Sequence, residues 1–321
     1  MNETSFDVFT LGETMIRLTP HGYTRLEEAG ELEVRIGGAE SNLAIALARL
    51  GVRAAWASRL PRNPLGDLVA RRIRSFGVDV SGVRWEDGAR MGLYFIEPGA
   101  APRSSLVLYD RAHSAASTMQ PDDFDWSLLD RSRHLHLTGI TPALSRSAAE
   151  TTARAIAEAG ARGRTVSFDV NYRGRLWSPG EAREALLPLV REVDLLICTA
   201  SDAALVFGAS GSAEDAAGAM GELTRAPLVA LTLGSEGALL WDRQEFYRVE
   251  PFRVEAVDRV GAGDAFDAGL LWGYLRDDPR KGLAYGMAMA AIKHTMPGDE
   301  FISSLAEVET LLQSGHQDIQ R

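Results

Sequence analysis

Short runs in which apolar and polar positions alternate mark the first third of the chain: Met15–Leu18, the triplet Leu32, Val34 and Ile36, Met91–Ile96 and Leu106–Tyr109. Alternation marks a strand with one solvated face, whereas a strand inside a parallel sheet is apolar throughout. These four runs are predicted to form a small side sheet, inserted as a lid over about residues 13–36 and 90–112. Asp7–Leu11 reads as a buried strand and Arg53–Leu60 as a further strand. Helices are predicted over 43–50, closed by Gly51, and over 65–76, closed by Gly77.

From His134 onward the pattern becomes a regular exchange of strand and helix. Strands are predicted at His134–Leu137, Thr165–Val170, Asp194–Thr199 and Leu228–Leu233. Helices at Ser145–Ala161, Glu181–Arg191 and Ser201–Phe207 separate them. Ala238–Trp241 and Phe246–Val249 pair as an antiparallel hairpin, and two helices follow, the last over Lys281–His294. Strands joined through helices imply a mostly parallel sheet with helices on both faces. The predicted fold is α/β: one domain over residues 1–321, a doubly wound, mostly parallel sheet with the small inserted β-sheet lid.

Ligands of such sheets gather at the carboxyl ends of the strands. Asn171 and Arg173, Gly234 and Gly237, and the turn Gly261-Ala262-Gly263-Asp264 all fall at such ends. The last turn opens a helix whose apolar residues recur at 266, 270, 271, 274 and 275. The first N–H groups of a helix lack partners and carry partial positive charge. Glycines let a phosphate approach them closely. Gly261, Ala262 and Gly263 are thus a candidate anion hole, and Asp264 a carboxylate at its mouth. A cradle plus a base is what phosphoryl transfer to an alcohol needs. The helix N-terminus is expected to favour the ionised form of Asp264. Gly37-Gly38 feeds a helix in the same way, with bare backbone for a small ligand and Asn42 as donor and acceptor. Each feature alone also suits an ordinary cap or turn; their convergence on one edge favours function.

The net charge of −10 shifts attention to local cations. An anionic ligand must here be gathered by amides, arginines or a divalent metal, and nucleic acid is an unfavourable partner. The single cysteine, Cys198, excludes an intramolecular disulfide. The acidic start Met1–Asp7 does not resemble a leader, and no apolar run reaches the roughly 18 residues of a membrane helix. A cytoplasmic location is expected. There is no Walker A motif, no nucleophile elbow and no paired-cysteine motif, and Phe266 interrupts the dinucleotide fingerprint. His134 and His136 share one strand face without matching ligands and are expected to be structural. Trp177, Trp241 and Trp272 read as packing residues.

Gly37-Gly38-Ala39-Glu40-Ser41-Asn42-Leu43-Ala44 resembles the N-terminal signature of the PfkB, or ribokinase-like, carbohydrate kinases. Asp258–Gly269 resembles their C-terminal signature, and Thr232–Gly237 their nucleotide-side glycine turn. Further segments resemble the 2-keto-3-deoxygluconate kinases within that family. They are Gly12-Glu13, Tyr94, Tyr109 and Arg111 before Ser114–Ser117, Asp169–Arg173 with Leu176-Trp177, and Pro297–Asp299.

The resemblance implies ATP and Mg²⁺ as cofactors, with a monovalent cation as an open addition. It implies that Gly38, Asn42, Tyr94, Tyr109, Arg111, Arg173, Asp264 and Asp299 bind a sugar acid. It implies ATP along Asn171, Arg173, Thr232, Gly234, Gly237, Gly261 and Gly263, and Asp264 as general base toward the terminal hydroxyl. The family's Asn-x-x-Glu is replaced by Thr199-Ala200-Ser201-Asp202. Asp202, one methylene shorter than glutamate, then stands where a metal would be held through water. Fructokinase is the alternative enzyme, and a sugar sensor without catalysis the alternative class. The two arginine clusters argue against a nucleoside kinase. Exposed lid strands are adhesive edges, so a homodimer or higher homo-oligomer through the lid is expected.

Overall fold

A computed structural model describes residues 6–314. The opening Met1–Ser5, read above as no leader, lies outside them. The chain begins with β1 (Val8–Leu11), β2 (Met15–Thr19) and β3 (Glu33–Gly37), then α1 (Ala39–Arg49). β4 (Ala54–Ala57), β5 (Arg59–Pro61), α2 (Pro64–Ser75) and β6 (Arg84–Glu86) follow, then β7 (Leu93–Glu97) and β8 (Leu106–Asp110). The alternating half comprises β9 (His134–Thr138), α3 (Arg146–Ala161), β10 (Thr165–Asp169), α4 (Pro179–Val190), β11 (Leu195–Thr199), α5 (Ala200–Phe207), α6 (Ala213–Thr224) and β12 (Leu228–Thr232). It ends with β13 (Ala238–Trp241), β14 (Phe246–Val249), α7 (Ala262–Tyr274), α8 (Pro279–His294) and α9 (Leu305–Ser314).

Eight strands make the main sheet, in the order β14-β13-β12-β11-β10-β9-β1-β4. β4 through β12 pair in parallel, and the β13–β14 hairpin closes one edge antiparallel. Both faces are covered. Leu186, Val206 and Met220 of α4, α5 and α6 join α3 in one apolar layer. Leu43 and Leu47 of α1 meet Leu271 of α7 and Met289 of α8 in the other. The long apolar strands the sequence shows are those buried between these layers.

The lid is the separate four-stranded sheet β3-β2-β7-β8. Its strands span 15–19, 33–37, 93–97 and 106–110, and the burial of β2 departs from expectation. Met15, Ile16, Arg17 and Thr19 are all buried, because β2 sits in the middle of the lid and its inner face closes onto the body. Alternation there reports a buried ion pair, not solvent.

Other segments also differ from expectation. Arg53–Leu60 is not one strand: the chain leaves the main sheet at Ser58, and β5 pairs with β6 in a two-stranded ribbon. α6 is hidden in sequence by glycines at 218 and 221 and by having only Met220 and Leu223 as large apolar residues, although Ser212 and Asp215 form a capping box. α9 continues past the predicted last helix and docks Val308 into the α7–α8 layer. The histidines are structural, as expected. His134 lies within 2.7 Å of both Thr165 Oγ1 and Ser167 Oγ, and His136 within 2.8 Å of Ser167 Oγ. Burial lowers the pKa of both imidazoles.

Candidate active site

The helix entrance at α7 is built as the sequence suggests, with one refinement. Gly261 caps it at φ +82°, a left-handed conformation that disfavours a side chain. A Cβ there would stand 2.0 Å from the Asp299 carbonyl oxygen. The amides of Gly263 and Asp264 have no acceptor among the described residues. The Ala262 amide is turned toward the Arg259 carbonyl, 3.5 Å away. The open donor pair is therefore Gly263 and Asp264, and Ala262 is not part of it.

Asp264 faces a cavity of about 500 Å³ at the carboxyl ends of β10, β11 and β12. Asn42 Nδ2, from the first turn of α1, donates to its Oδ2 at 2.7 Å. Burial pushes the Asp264 pKa up to about 6, against the Asn42 hydrogen bond and the Arg173 charge that lower it. Desolvation outweighs both, so the pKa lies above the ordinary carboxylate value yet below neutrality, and the carboxyl is mostly ionised at neutral pH, the form a base requires. Asp267, one turn further along α7, and Asp169, at the end of β10, are pushed up by burial and by neighbouring carboxylates. Asp202, in the first turn of α5, is raised by burial as well. Beneath them Glu40 is fully enclosed, accepts from the Thr138 and Thr141 hydroxyls at 2.8 and 2.9 Å, and is pushed up to about 7 by burial.

The lid forms the facing wall. Tyr94 donates to Asp299 Oδ2 at 2.7 Å, and its ring stacks on Tyr109 with centroids 5.9 Å apart. Gly37 explains the paired glycines: a Cβ there would lie 2.1 Å from the Tyr94 hydroxyl and 2.3 Å from Asp299 Oδ2. The space is filled by the protein's own groups rather than left bare, although Gly38 backbone still lines the cavity. Arg111 is charge-matched. Its Nε donates to Glu13 Oε2 at 2.8 Å, its Nη2 joins the same oxygen, and Ser114 donates to Oε1 at 2.5 Å. Arg173 is exposed and makes no ion pair among the described residues. It follows Asn171, whose φ of +40° turns the chain at the end of β10.

A second cavity, of about 490 Å³, adjoins the first. Gly234 and Gly237 line it with Phe252, Met287, Ala291 and His294, a mostly apolar slot for a flat ring. Thr232, Arg259 and Gly263 belong to both cavities. Asn171, Arg173 and Gly261 touch the first cavity only.

The pfkB family carbohydrate kinase profile matches residues 5–304. The chain belongs to that family. This carbohydrate kinase is 41% identical over 316 residues to the 2-dehydro-3-deoxygalactonokinase of Haloferax volcanii, covering 98% of this chain and 99% of that one. It is 34% identical to the 2-dehydro-3-deoxygluconokinase of Thermoproteus tenax, over 97% and 96% of the two chains. The crystal structure of the 2-dehydro-3-deoxygluconokinase of Thermotoga maritima superposes with a TM-score of 0.91 at 37% identity, covering 98% of this chain and all of that one. The kinase is thus an ATP-dependent sugar kinase with the ribokinase-like fold.

The kinase brings together every site residue named from sequence, in one or other of the two cavities. Among the described residues no three or more His, Cys, Asp or Glu side chains are arranged to hold a metal. Asp202 and Asp169 nonetheless line the first cavity, and burial holds the pKa of each above the ordinary carboxylate value against the opposing charge of Arg173. That fits a Mg²⁺ held chiefly by phosphate oxygens and water, with one or two carboxylates in support.

Sequence reasoning missed Arg17, Arg259, Lys293 and the apolar slot. Arg17 was assigned to a solvated strand face. Lys293 is fully buried, and its Nζ donates to the Met296 carbonyl at 3.1 Å. Met287, Ala291 and His294 do carry a signal: their spacing of four and three places them on one face of α8.

Proposed function

We propose that this kinase phosphorylates the terminal hydroxyl of a 2-keto-3-deoxy sugar acid of the gluconate or galactonate type. The observation that carries the reading is Asp264. It is a half-buried carboxyl oriented by Asn42 and set beside two amides without an acceptor among the described residues, in a cavity that also holds the exposed Arg173, whose charge acts on it. The names of the Haloferax, Thermoproteus and Thermotoga relatives support the sugar class.

The sugar binds under the lid against Gly38, Asn42, Tyr94, Tyr109, Arg111 and Asp299. Arg173, which makes no close ion pair among the described residues, supplies a guanidinium for its carboxylate. Arg111 adds its Nη1 edge, which the Glu13 pair leaves open. The adenine ring lies in the apolar slot, with Gly234 and Gly237 at its side, and the phosphates pass Thr232, Asn171 and Gly261 toward Gly263. Asp264 accepts the hydroxyl proton as the phosphoryl group leaves ATP. The Gly263 and Asp264 amides hold the charge that grows on it. Mg²⁺, when bound, neutralises phosphate charge, and Asp202 and Asp169 are the residues that would hold it through water.

A second copy of the chain is the partner we propose for the lid. Val34, Leu18, Phe95 and Leu108 are successive cross-strand neighbours on its outer face. Val34 is 52% exposed and Leu108 44%. Light scattering of Leu108→Glu tests this; a mass unchanged from wild type would remove the lid as the interface.

The deciding experiment follows ADP release with ATP and a panel of sugars: 2-keto-3-deoxygluconate, its galactonate epimer, fructose and ribose. The reading predicts the highest kcat/KM for one or both keto-deoxy acids. A preference for fructose would make the protein a fructokinase, and no release with any sugar would favour the non-catalytic sensor.

A further inference from the structure

Thr232, Arg259 and Gly263 are the residues common to both cavities. A nucleotide whose base fills one cavity and whose terminal phosphate reaches the other must pass them. Of the three, Arg259 alone carries charge. Its side chain is exposed and its guanidinium has no ion pair or hydrogen bond among the described residues.

The acid next to it cannot neutralise it. Asp258 Oδ2 accepts from Arg17 at 2.6 Å and from the Gly298 amide at 3.0 Å, and Oδ1 accepts from the Val260 amide at 3.0 Å. The backbone under Arg259 is also fixed. The His294 carbonyl accepts from the Val257 and Asp258 amides at 2.7 and 3.2 Å, and the anion turn begins two residues later. A free cation on an anchored loop, at the crossing between the two cavities, is a preorganised grip for phosphoryl oxygens.

Resting on the kinase reading above, we propose that Arg259 is a catalytic residue that clasps the terminal phosphate of ATP in transit and steadies the charge it carries during transfer. Its action belongs to the nucleotide and not to the sugar carboxylate. A donor of this kind contributes about 10²–10³-fold to rate, and a planar bidentate guanidinium is not matched by an ammonium.

The test compares wild type with Arg259→Gln and Arg259→Lys, using whichever sugar of the panel wild type accepts. For Gln we expect kcat/KM for ATP to fall roughly 100-fold or more, with sugar KM within about threefold and thermal melting unchanged, since an exposed, unpaired side chain holds nothing together. For Lys we expect partial recovery of ATP binding and little of kcat. Titration with ADP and with a slowly hydrolysed ATP analogue gives a second readout that needs no turnover. Wild type should bind the triphosphate more tightly than the diphosphate, and Arg259→Gln should lose that preference.

Retention of kcat/KM for ATP within threefold, together with an unchanged preference for triphosphate, would overturn the proposal. So would a loss confined to sugar-acid KM. If wild type phosphorylates no sugar while Arg259→Gln still erases the triphosphate preference, the substrate reading fails and the assignment of Arg259 stands.

Discussion

Asp299 Oδ1 accepts a 2.7 Å hydrogen bond from Arg17 Nη1, a side chain 282 positions earlier in the chain. The same guanidinium reaches Asp258 Oδ2 at 2.6 Å, and all three groups are nearly enclosed. One lid cation thus ties together the loop before the anion turn and the loop after α8. Arg17→Met would leave two buried carboxylates without their partner. Breaking a buried pair from one side costs about 3–5 kcal/mol, so thermal and urea unfolding should both shift downward, and sugar KM should rise. A melt within a degree of wild type would show that this tie does not hold the lid.

Asp264→Asn isolates the base from the scaffold. Loss of a general base costs about 10²–10⁴-fold, or roughly 3–5 kcal/mol of barrier at about 1.36 kcal/mol per decade. The stability effect has the opposite sign. Burial raises the Asp264 pKa from 3.8 to about 6. The folded state therefore holds this proton more tightly than the unfolded one, and stability is lost as pH rises from about 4 through about 6. At neutral pH the Asn variant, free of that penalty, should unfold at an equal or higher temperature. For wild type, kcat should fall on the acid side with a midpoint near the raised pKa. Near-normal turnover by the Asn variant would remove Asp264 as base.

The two glycines of the anion turn should respond differently to alanine. At Gly261 both φ of +82° and the Asp299 carbonyl oppose a Cβ, so Gly261→Ala should lower stability and activity together. At Gly263 nothing lies within 4 Å of the added atom, and alanine is the better helix former by up to about 1 kcal/mol. Gly263→Ala should melt no lower than wild type yet transfer phosphate more slowly, because the methyl intrudes where phosphate must sit. Equal rates for Gly263→Ala and wild type would place the phosphate elsewhere.

Much of this was readable before the fold was known. The Gly261–Asp264 turn and the strand-end positions of Asn171, Arg173 and Gly234 follow from local pattern, because helix entrances and βα turns are encoded by neighbours in sequence. What sequence hid depends on distant partners. Arg17 alternates as a surface residue would, and only Asp258 and Asp299 reveal why it is buried. Arg111 reads as a free substrate cation until Glu13, 98 residues away, is found beside it. The raised pKa of Asp264 was hidden likewise, since its desolvation and the nearby Asp299 are tertiary facts.

The Arg111–Glu13 pair yields its own test. The Glu13 side chain is 1% exposed. Arg111→Ala should lower stability by about 3–5 kcal/mol, whereas adding Glu13→Gln should restore part of it. Sugar-acid KM measured on the double variant then reports recognition without the folding defect. Equal KM increases for sugar acid and fructose would deny Arg111 any role in reading the carboxylate.

Lys293 bears on the monovalent cation that the family resemblance leaves open. Its ammonium is enclosed, and burial lowers its pKa against the opposite charges of Asp258, Asp299 and Asp264. With a fixed cation already under the anion turn, initial rates should be the same in potassium, sodium and tetramethylammonium buffers of equal ionic strength. A severalfold activation by potassium alone would show that a soluble ion is needed as well.

β2 and β7 are the middle strands of the lid, and both are fastened to Asp299, one through Arg17 and the other through Tyr94. The outer rail, β8, is moored to the body by Arg175 on the Val107 carbonyl at 2.6 Å. The roof over the sugar is thus bolted along its ridge, and its eave sets the width of the doorway. Exchange of residues along that eave can admit a bulkier or slimmer cargo without unbolting the ridge.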